Sequence, residues 1–196
     1  MLYVVRHGRT AANAAGELLG HRDPELDDVG RAQAAALASV LPAGARVVSS
    51  PLRRCRQTAE AFADQIEVDE RLKEMNYGDF EGVPVAGVPA ETWATWRSDP
   101  GWAPPGGESH QQLAERVWAL LDELRPSIAS NDIVLVSHVS PIKAVVAWAL
   151  GVPIDISWRC FVSQASILTV GFREGTPSLR SFNEIAHLAT VATEPR

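Results

Sequence analysis

The sequence predicts an α/β domain: a three-layer αβα sandwich around a mostly parallel central sheet. Short apolar, β-branched runs alternate along the chain with longer segments whose apolar residues recur at helical spacing. The runs at 2–6, 46–49 and 133–137 each end in polar residues, and two of them lead into a Ser-Pro pair that suits a helix start. Of 196 residues, 46% are apolar and 21% charged, which fits one domain with a sizeable core. A single domain over 1–196 is expected, with a loop-rich insertion near 83–107.

Taken in order, Leu2–Arg6 reads as the first strand. Apolar residues from Val29 to Leu41 keep helical spacing, with Asp27 or Asp28 placed to cap. Arg46–Ser49 is a short buried strand that runs into Ser50, a candidate N-cap, and Pro51. The next helix carries Leu52, Cys55, Ala59, Phe62 and Ile66 on one face, and Ile66–Asp69 adds a short strand. The insertion holds Pro84, Pro89, Pro100, Pro104 and Pro105 and one short helix near Ala90–Arg97. Ser109 and Gln112 form a capping box before the stripe Leu113, Val117, Leu120, Leu121 and Leu124. The strand at 133–137 follows. A helix then starts at Ser140-Pro141, apolar at Ile142, Val145, Val146, Ala149 and Leu150. Late strands are expected near 159–163, 165–172 and 178–183.

Several function classes drop out. A net charge of −6 gives no general attraction for nucleic acid or an anionic membrane. The longest apolar stretch, Ala144–Val152, is too short to span a bilayer, and no cationic leader precedes the first strand, so a cytoplasmic protein is expected. Cys55 and Cys160 form neither a disulfide framework nor a zinc spacing, and read as buried, inert thiols. The first strand is not followed by a dinucleotide-binding glycine loop, and the chain has no P-loop and no nucleophile elbow. A cysteine phosphatase needs an arginine closing the loop after its thiol. Ala61 and Ser166 stand there instead.

What remains is cationic and rich in imidazole. If the three strands are neighbours, their carboxyl ends gather Arg6, His7, Arg53, Arg54 and His138 at the sheet edge where α/β proteins bind ligands. Guanidinium forks and a helix N-terminus both suit phosphate oxygens, so a phosphate dianion is the natural ligand.

Val4–Asn13 (VVRHGRTAAN), Ser49–Ala59 (SSPLRRCRQTA), Leu72–Gly82 (LKEMNYGDFEG), Gly106–Ser109 and Val136–His138 together resemble the histidine phosphatase superfamily, in the right order over nearly the whole chain. The resemblance is greatest to the short acid-phosphatase and α-ribazole-phosphatase-like branch. It implies a phosphoglycerate mutase-like fold and a metal-independent phosphomonoesterase with no cofactor. It also implies roles. His7 is the nucleophile that becomes phosphohistidine; Arg6, Arg54 and His138 bind the phosphate; Asn13 adds a neutral donor; and Glu74 is the acid that protonates the leaving alcohol and then activates water. The implied partners are a small phosphorylated substrate and inorganic phosphate as product, with no nucleic acid and no membrane; homo-oligomer formation stays open. A neutral imidazole, with its reference pKa of about 6.5, is a competent nucleophile here.

The family usually has Gly after its second His, where this chain has Val139. Either the backbone there is ordinary and Val139 still donates its N–H to phosphate, or the pocket rim differs. Arg9 either reads a second anionic group or is a solvated surface charge. Trp93, Trp96 and Trp102 either roof the substrate or pack the insertion onto the core. Arg53 and Arg56 read as surface charges, and His21, His110 and His187 as ordinary polar residues. Two rival functions are phosphoryl transfer of the phosphoglycerate mutase type and a catalytically silent phosphoester-binding module. The mutase is disfavoured because Met75-Asn76-Tyr77-Gly78 replaces its Arg-His-Tyr-Gly motif.

Overall fold

In the computed structural model, which describes residues 1–191, β1 (Leu2–Arg6) and β4 (Ile133–Ser137) lie parallel and adjacent at the centre of the sheet. Leu2 stands opposite Ile133, and Arg6 opposite Ser137. On the far side of β4 come β2 (Arg46–Ser49) and β3 (Glu67–Val68), both parallel to their neighbours. On the far side of β1 come β5 (Ile167–Arg173) and β6 (Thr176–Glu184), both antiparallel. The order is β3-β2-β4-β1-β5-β6, a mixed sheet whose parallel part holds β1 to β4.

Because successive strand residues face opposite sides, each central strand feeds two cores. Leu2, Val4, Val48, Ile133 and Leu135 point into one, built with α5 (His110–Ser130) and α6 (Val139–Leu150). Val5, Val47, Val134 and Val136 point into the other, which includes Leu37 of α2 (Asp28–Leu37) and Cys55 and Ala59 of α3 (Arg53–Glu60). Burial on both sides explains why these strands read as continuous apolar runs. The short helices α1 (Ala11–Ala14) and α4 (Ala90–Ser98) complete the set. No helix among the described residues is long and apolar enough to cross a membrane.

The differences from expectation have local causes. Helix α2 stops at Leu37 rather than Leu41: the N–H groups of Ala38, Ser39 and Val40 reach back only three residues, to the carbonyls of Ala35, Ala36 and Leu37, so the chain tightens out of the helix before Pro42. Helix α3 starts at Arg53, with Leu52 as N-cap. Ser50 is not the cap, because its hydroxyl is engaged elsewhere. That helix also ends at Glu60, so Phe62 and Ile66 pack on the second core from outside it. The chain turns there to bring Glu67–Val68, the whole of β3, alongside β2. Helix α5 runs on through Pro126 to Ser130, and α6 opens one residue early with His138 as N-cap. No strand forms at 159–163. Phe161 is 75% exposed, and the Val162 carbonyl accepts a bond from Arg6 instead of a neighbouring strand.

One contact sets the loop after β1. A Cβ on Gly8 would lie 2.4 Å from the Gly30 carbonyl oxygen, and one on Gly30 would lie 2.0 Å from that of Arg9. Only two glycines allow this loop to seat on the first turn of α2.

Candidate active site

Strand register builds the site. Arg6 opposes Ser137, so the next residues, His7 and His138, emerge side by side at the carboxyl ends of β1 and β4. Their rings meet edge-on with centroids 5.0 Å apart. Ser49 opposes Val136 on β2, which brings Ser50 to the same edge. Helix α3 supplies Arg54 from its first turn. Glu74 arrives on the segment after a 3₁₀ turn at Glu70–Leu72. His7, His138, Arg6, Arg54 and Glu74 are all buried, His7 being 3% exposed.

The hydrogen bonds assign the imidazole tautomers. His7 Nδ1 lies 2.7 Å from the Gly8 carbonyl. A carbonyl only accepts, so Nδ1 carries the proton and Nε2 keeps a bare lone pair. Burial holds the His7 pKa well below its usual value, and the charges of Arg54 and Arg6 push the same way. The neutral ring therefore persists to lower pH than a free imidazole. Long-range ¹⁵N–¹H correlation spectra should show a neutral, Nδ1-protonated His7 still at about pH 6. A ring already cationic there contradicts the assignment.

His138 is the opposite tautomer. Arg54 Nε donates to its Nδ1 at 3.2 Å, so its proton sits on Nε2, 2.8 Å from Ser50 Oγ. Burial, first, and the Arg54 charge, second, keep it neutral as well.

Arg54 is locked from three sides. Besides His138, its Nη1 donates to the Arg22 carbonyl and its Nη2 to the Gly20 carbonyl, both at 2.7 Å. The desolvation penalty of such a buried charge is several kcal/mol. Three charge-assisted bonds, at about 1.5–3 kcal/mol each, offset it. Burial lowers its pKa, yet arginine starts so high that it stays charged. One N–H on each terminal nitrogen is left for a ligand. The turn holding Arg54 is itself held by Glu81, whose carboxylate accepts from the N–H groups of Gly20, His21 and Arg22.

Glu74 Oε1 accepts from its neighbour Met75 N–H at 2.7 Å and from Ser140 N–H at 3.1 Å. The carboxylate thus sits on the N-terminus of α6, where the helix dipole favours negative charge. Its backbone carbonyl accepts from His21 Nε2 and Arg116 Nη2, and Arg116 is ion-paired with Glu108. Arg6 donates from Nη1 to the Val162 carbonyl at 2.7 Å.

Other candidates fall differently. Asn13 is the third residue of α1 and closes a capping box with Thr10, which occupies its Oδ1. Val139 is the first helical residue of α6, with no positive φ, so the backbone is ordinary. Arg9 is not a solvated surface charge: it is half-buried and its Nε pairs with Asp27, the N-cap of α2, at 2.8 Å. Arg53 pairs with Glu25 and Arg56 with Glu60, at the surface. Trp96 is 1% exposed and packs into the core, and with Trp93 it also lines a small cavity beside Glu74. Cys55 is buried beside His138, and burial pushes its thiol pKa up; Cys160 is only half-buried, against expectation.

Sequence reasoning gave no site role to Ser50, read as an N-cap, to His21, read as an ordinary polar residue, or to the Gly20–Arg22 turn, Glu81 and Arg116. Ser50, Glu81 and Glu108 do lie inside the motif segments quoted above, which was the available signal. A hollow of about 710 Å³ lies at the amino ends of β2 and β4, where Arg46 and Glu67 pair with each other; none of its described lining residues is a histidine or cysteine.

The sequence model of the histidine phosphatase superfamily (branch 1) matches residues 2–185. The chain belongs to that superfamily. A glucosyl-3-phosphoglycerate phosphatase of Mycolicibacterium vanbaalenii is 39% identical over 170 residues, covering 79% of this chain and 76% of the relative. A phosphoserine phosphatase variant from Entamoeba histolytica, in complex with phosphoserine, superposes with a TM-score of 0.88 at 28% identity, covering 95% and 98% of the two chains. The α-ribazole phosphatase of Shigella flexneri gives 0.81 at 28% identity, covering 93% and 96%. This histidine phosphatase therefore has the phosphoglycerate mutase-like α/β fold that its motifs imply, and it is an enzyme.

Proposed function

We propose that the protein hydrolyses phosphate monoesters of small metabolites through a phosphohistidine on His7, without a metal ion or cofactor. The observation that carries this is the 2.7 Å bond from His7 Nδ1 to the Gly8 carbonyl, which leaves Nε2 as a bare nucleophile among buried cations. Nε2 attacks phosphorus, and the P–O bond to the alcohol breaks with its electron pair going to that oxygen. Glu74 delivers a proton to it. Water then attacks the phosphoryl group, Glu74 takes a proton back, and the P–N electron pair returns to Nε2.

Arg6 and the two uncommitted N–H groups of Arg54 compensate the charge on the equatorial oxygens, which is most of what phosphoryl transfer asks of a protein. A phosphate oxygen takes the place of Ser50 Oγ as acceptor for His138 Nε2–H. The Val139 N–H, left over at the start of α6, and the Asn13 amide add neutral donors. The substrate class is a small phosphorylated acid or sugar derivative, which the names of the relatives support.

The decisive assay measures inorganic phosphate and alcohol released from a panel of phosphorylated acids, sugars and nucleosides. One phosphate per alcohol, with no primer needed, is the expected result. A requirement for a bisphosphorylated primer, with phosphoryl returned to another hydroxyl, identifies a mutase; tight binding without release identifies a silent module.

A further inference from the structure

Beside Glu74 lies a cavity of about 120 Å³ that the phosphoryl chemistry does not use. Ser140, whose N–H holds the Glu74 carboxylate, is part of its lining. Its walls are aromatic: Trp93 stacks on Trp96 at 5.5 Å, and Trp158 meets Trp93 edge-on at 6.1 Å. Polar groups with nothing to bind collect against those walls. Trp96 Nε1, His110 Nδ1 and Ser157 Oγ are buried and make no hydrogen bond among the described residues. Buried polar groups are nearly always paired, so several orphans around one cavity point to a ligand that satisfies them.

The same cavity contains a half-buried cation whose pKa burial lowers and the Glu74 charge partly restores. Lys143 lines it and makes no ion pair among the described residues, and none of the described lining residues is acidic. It stands one turn beyond Val139 on α6, and helical side chains lean toward the N-terminus, back to the catalytic rim. Burial and the Lys143 charge push the His110 pKa down to about 4, so that ring is a neutral hydrogen-bonding group rather than a second cation. A tryptophan N–H only donates, and a hydroxyl and a neutral imidazole can both donate. One cation ringed by donors is an anion receptor. At about 30 Å³ per water, the cavity takes about four waters, which suits a leaving group of a few carbons.

We propose that this cavity is the leaving-group subsite and selects alcohols that carry a carboxylate, with Lys143 as ion-pair partner and Trp96, His110 and Ser157 as hydrogen-bonding groups. The inference rests on the assignment of His7 and Glu74 above. The competing account is that Lys143 acts only on Glu74, whose charge it feels.

The matched probes are 3-phosphoglycerate and glycerol 3-phosphate, which share the phosphoryl group and three-carbon chain and differ in the carboxylate. Wild type should favour the acid in kcat/KM by about 10- to 100-fold, the worth of one charge-assisted pair. Lys143→Met should bring that ratio to within about threefold, and Lys143→Gln should behave alike. A wild-type ratio near one overturns the proposal. So does an unchanged ratio with both rates lowered, which assigns Lys143 to Glu74 alone. Calorimetric binding of both esters to His7→Ala, with and without Lys143→Met, separates the two readings. If wild type releases no phosphate while the acid still binds selectively through Lys143, the subsite stands and the catalytic reading falls.

Discussion

His7→Ala should release phosphate at least about 10⁴-fold more slowly than wild type, the scale on which deleting a covalent nucleophile acts. The Nε2 lone pair of His7 has no hydrogen-bond partner among the described residues. Arg6 and Arg54 remain to bind the ester, so affinity should change by no more than about tenfold. The fold should survive, because removing the ring leaves the β1–β4 ladder intact and relieves a desolvated polar group. Circular dichroism checks the fold, and phosphate release checks the chemistry. A folded His7→Ala protein with activity within tenfold of wild type would refute the nucleophile assignment.

Glu74→Gln should separate the two halves of the reaction. The amide oxygen of Gln can still accept from the Met75 and Ser140 N–H groups, so the local geometry is retained. What it cannot do is give a proton to an alkoxide. For alkyl phosphates kcat/KM should fall about 10²- to 10⁴-fold, the usual contribution of a general acid. p-Nitrophenyl phosphate releases a phenolate that leaves unprotonated, so its kcat/KM should fall far less. Hydrolysis of the phosphohistidine needs the same carboxylate as base. Rapid mixing should therefore show one equivalent of nitrophenol per chain, followed by slow turnover. Equal losses for both ester types contradict the acid role.

Much of this was legible in the sequence where structure follows from periodicity. Strands β1, β2 and β4 read correctly because residues such as Val4 and Val5, or Leu135 and Val136, bury on opposite faces and leave no polar position. The ends of those strands told where His7 and His138 would lie, once the strands were taken as neighbours. Less was legible where a long-range contact decides the outcome. The 159–163 segment has strand composition, yet its Val162 carbonyl serves Arg6. Ser50 looks like an N-cap and instead its hydroxyl accepts the hydrogen bond from His138 Nε2–H. Glu81 reaches back across the chain to hold the turn that holds Arg54, an arrangement with no spacing signal. The cavity at Lys143 joins α4, α5, α6 and the 3₁₀ turn at Ile154–Arg159, and no local pattern announces it.

The central claim is that the phosphoryl group passes through Nε2 of His7. It is tested most directly by quenching Glu74→Gln in alkali during the p-nitrophenyl phosphate burst, where a phosphoramidate survives, and mapping peptides by mass spectrometry. The account predicts one phosphoryl group per chain, on the peptide and residue of His7, absent when His7→Ala is added. A full burst with no covalent phosphate, or with phosphate on His138 or another side chain, would contradict it.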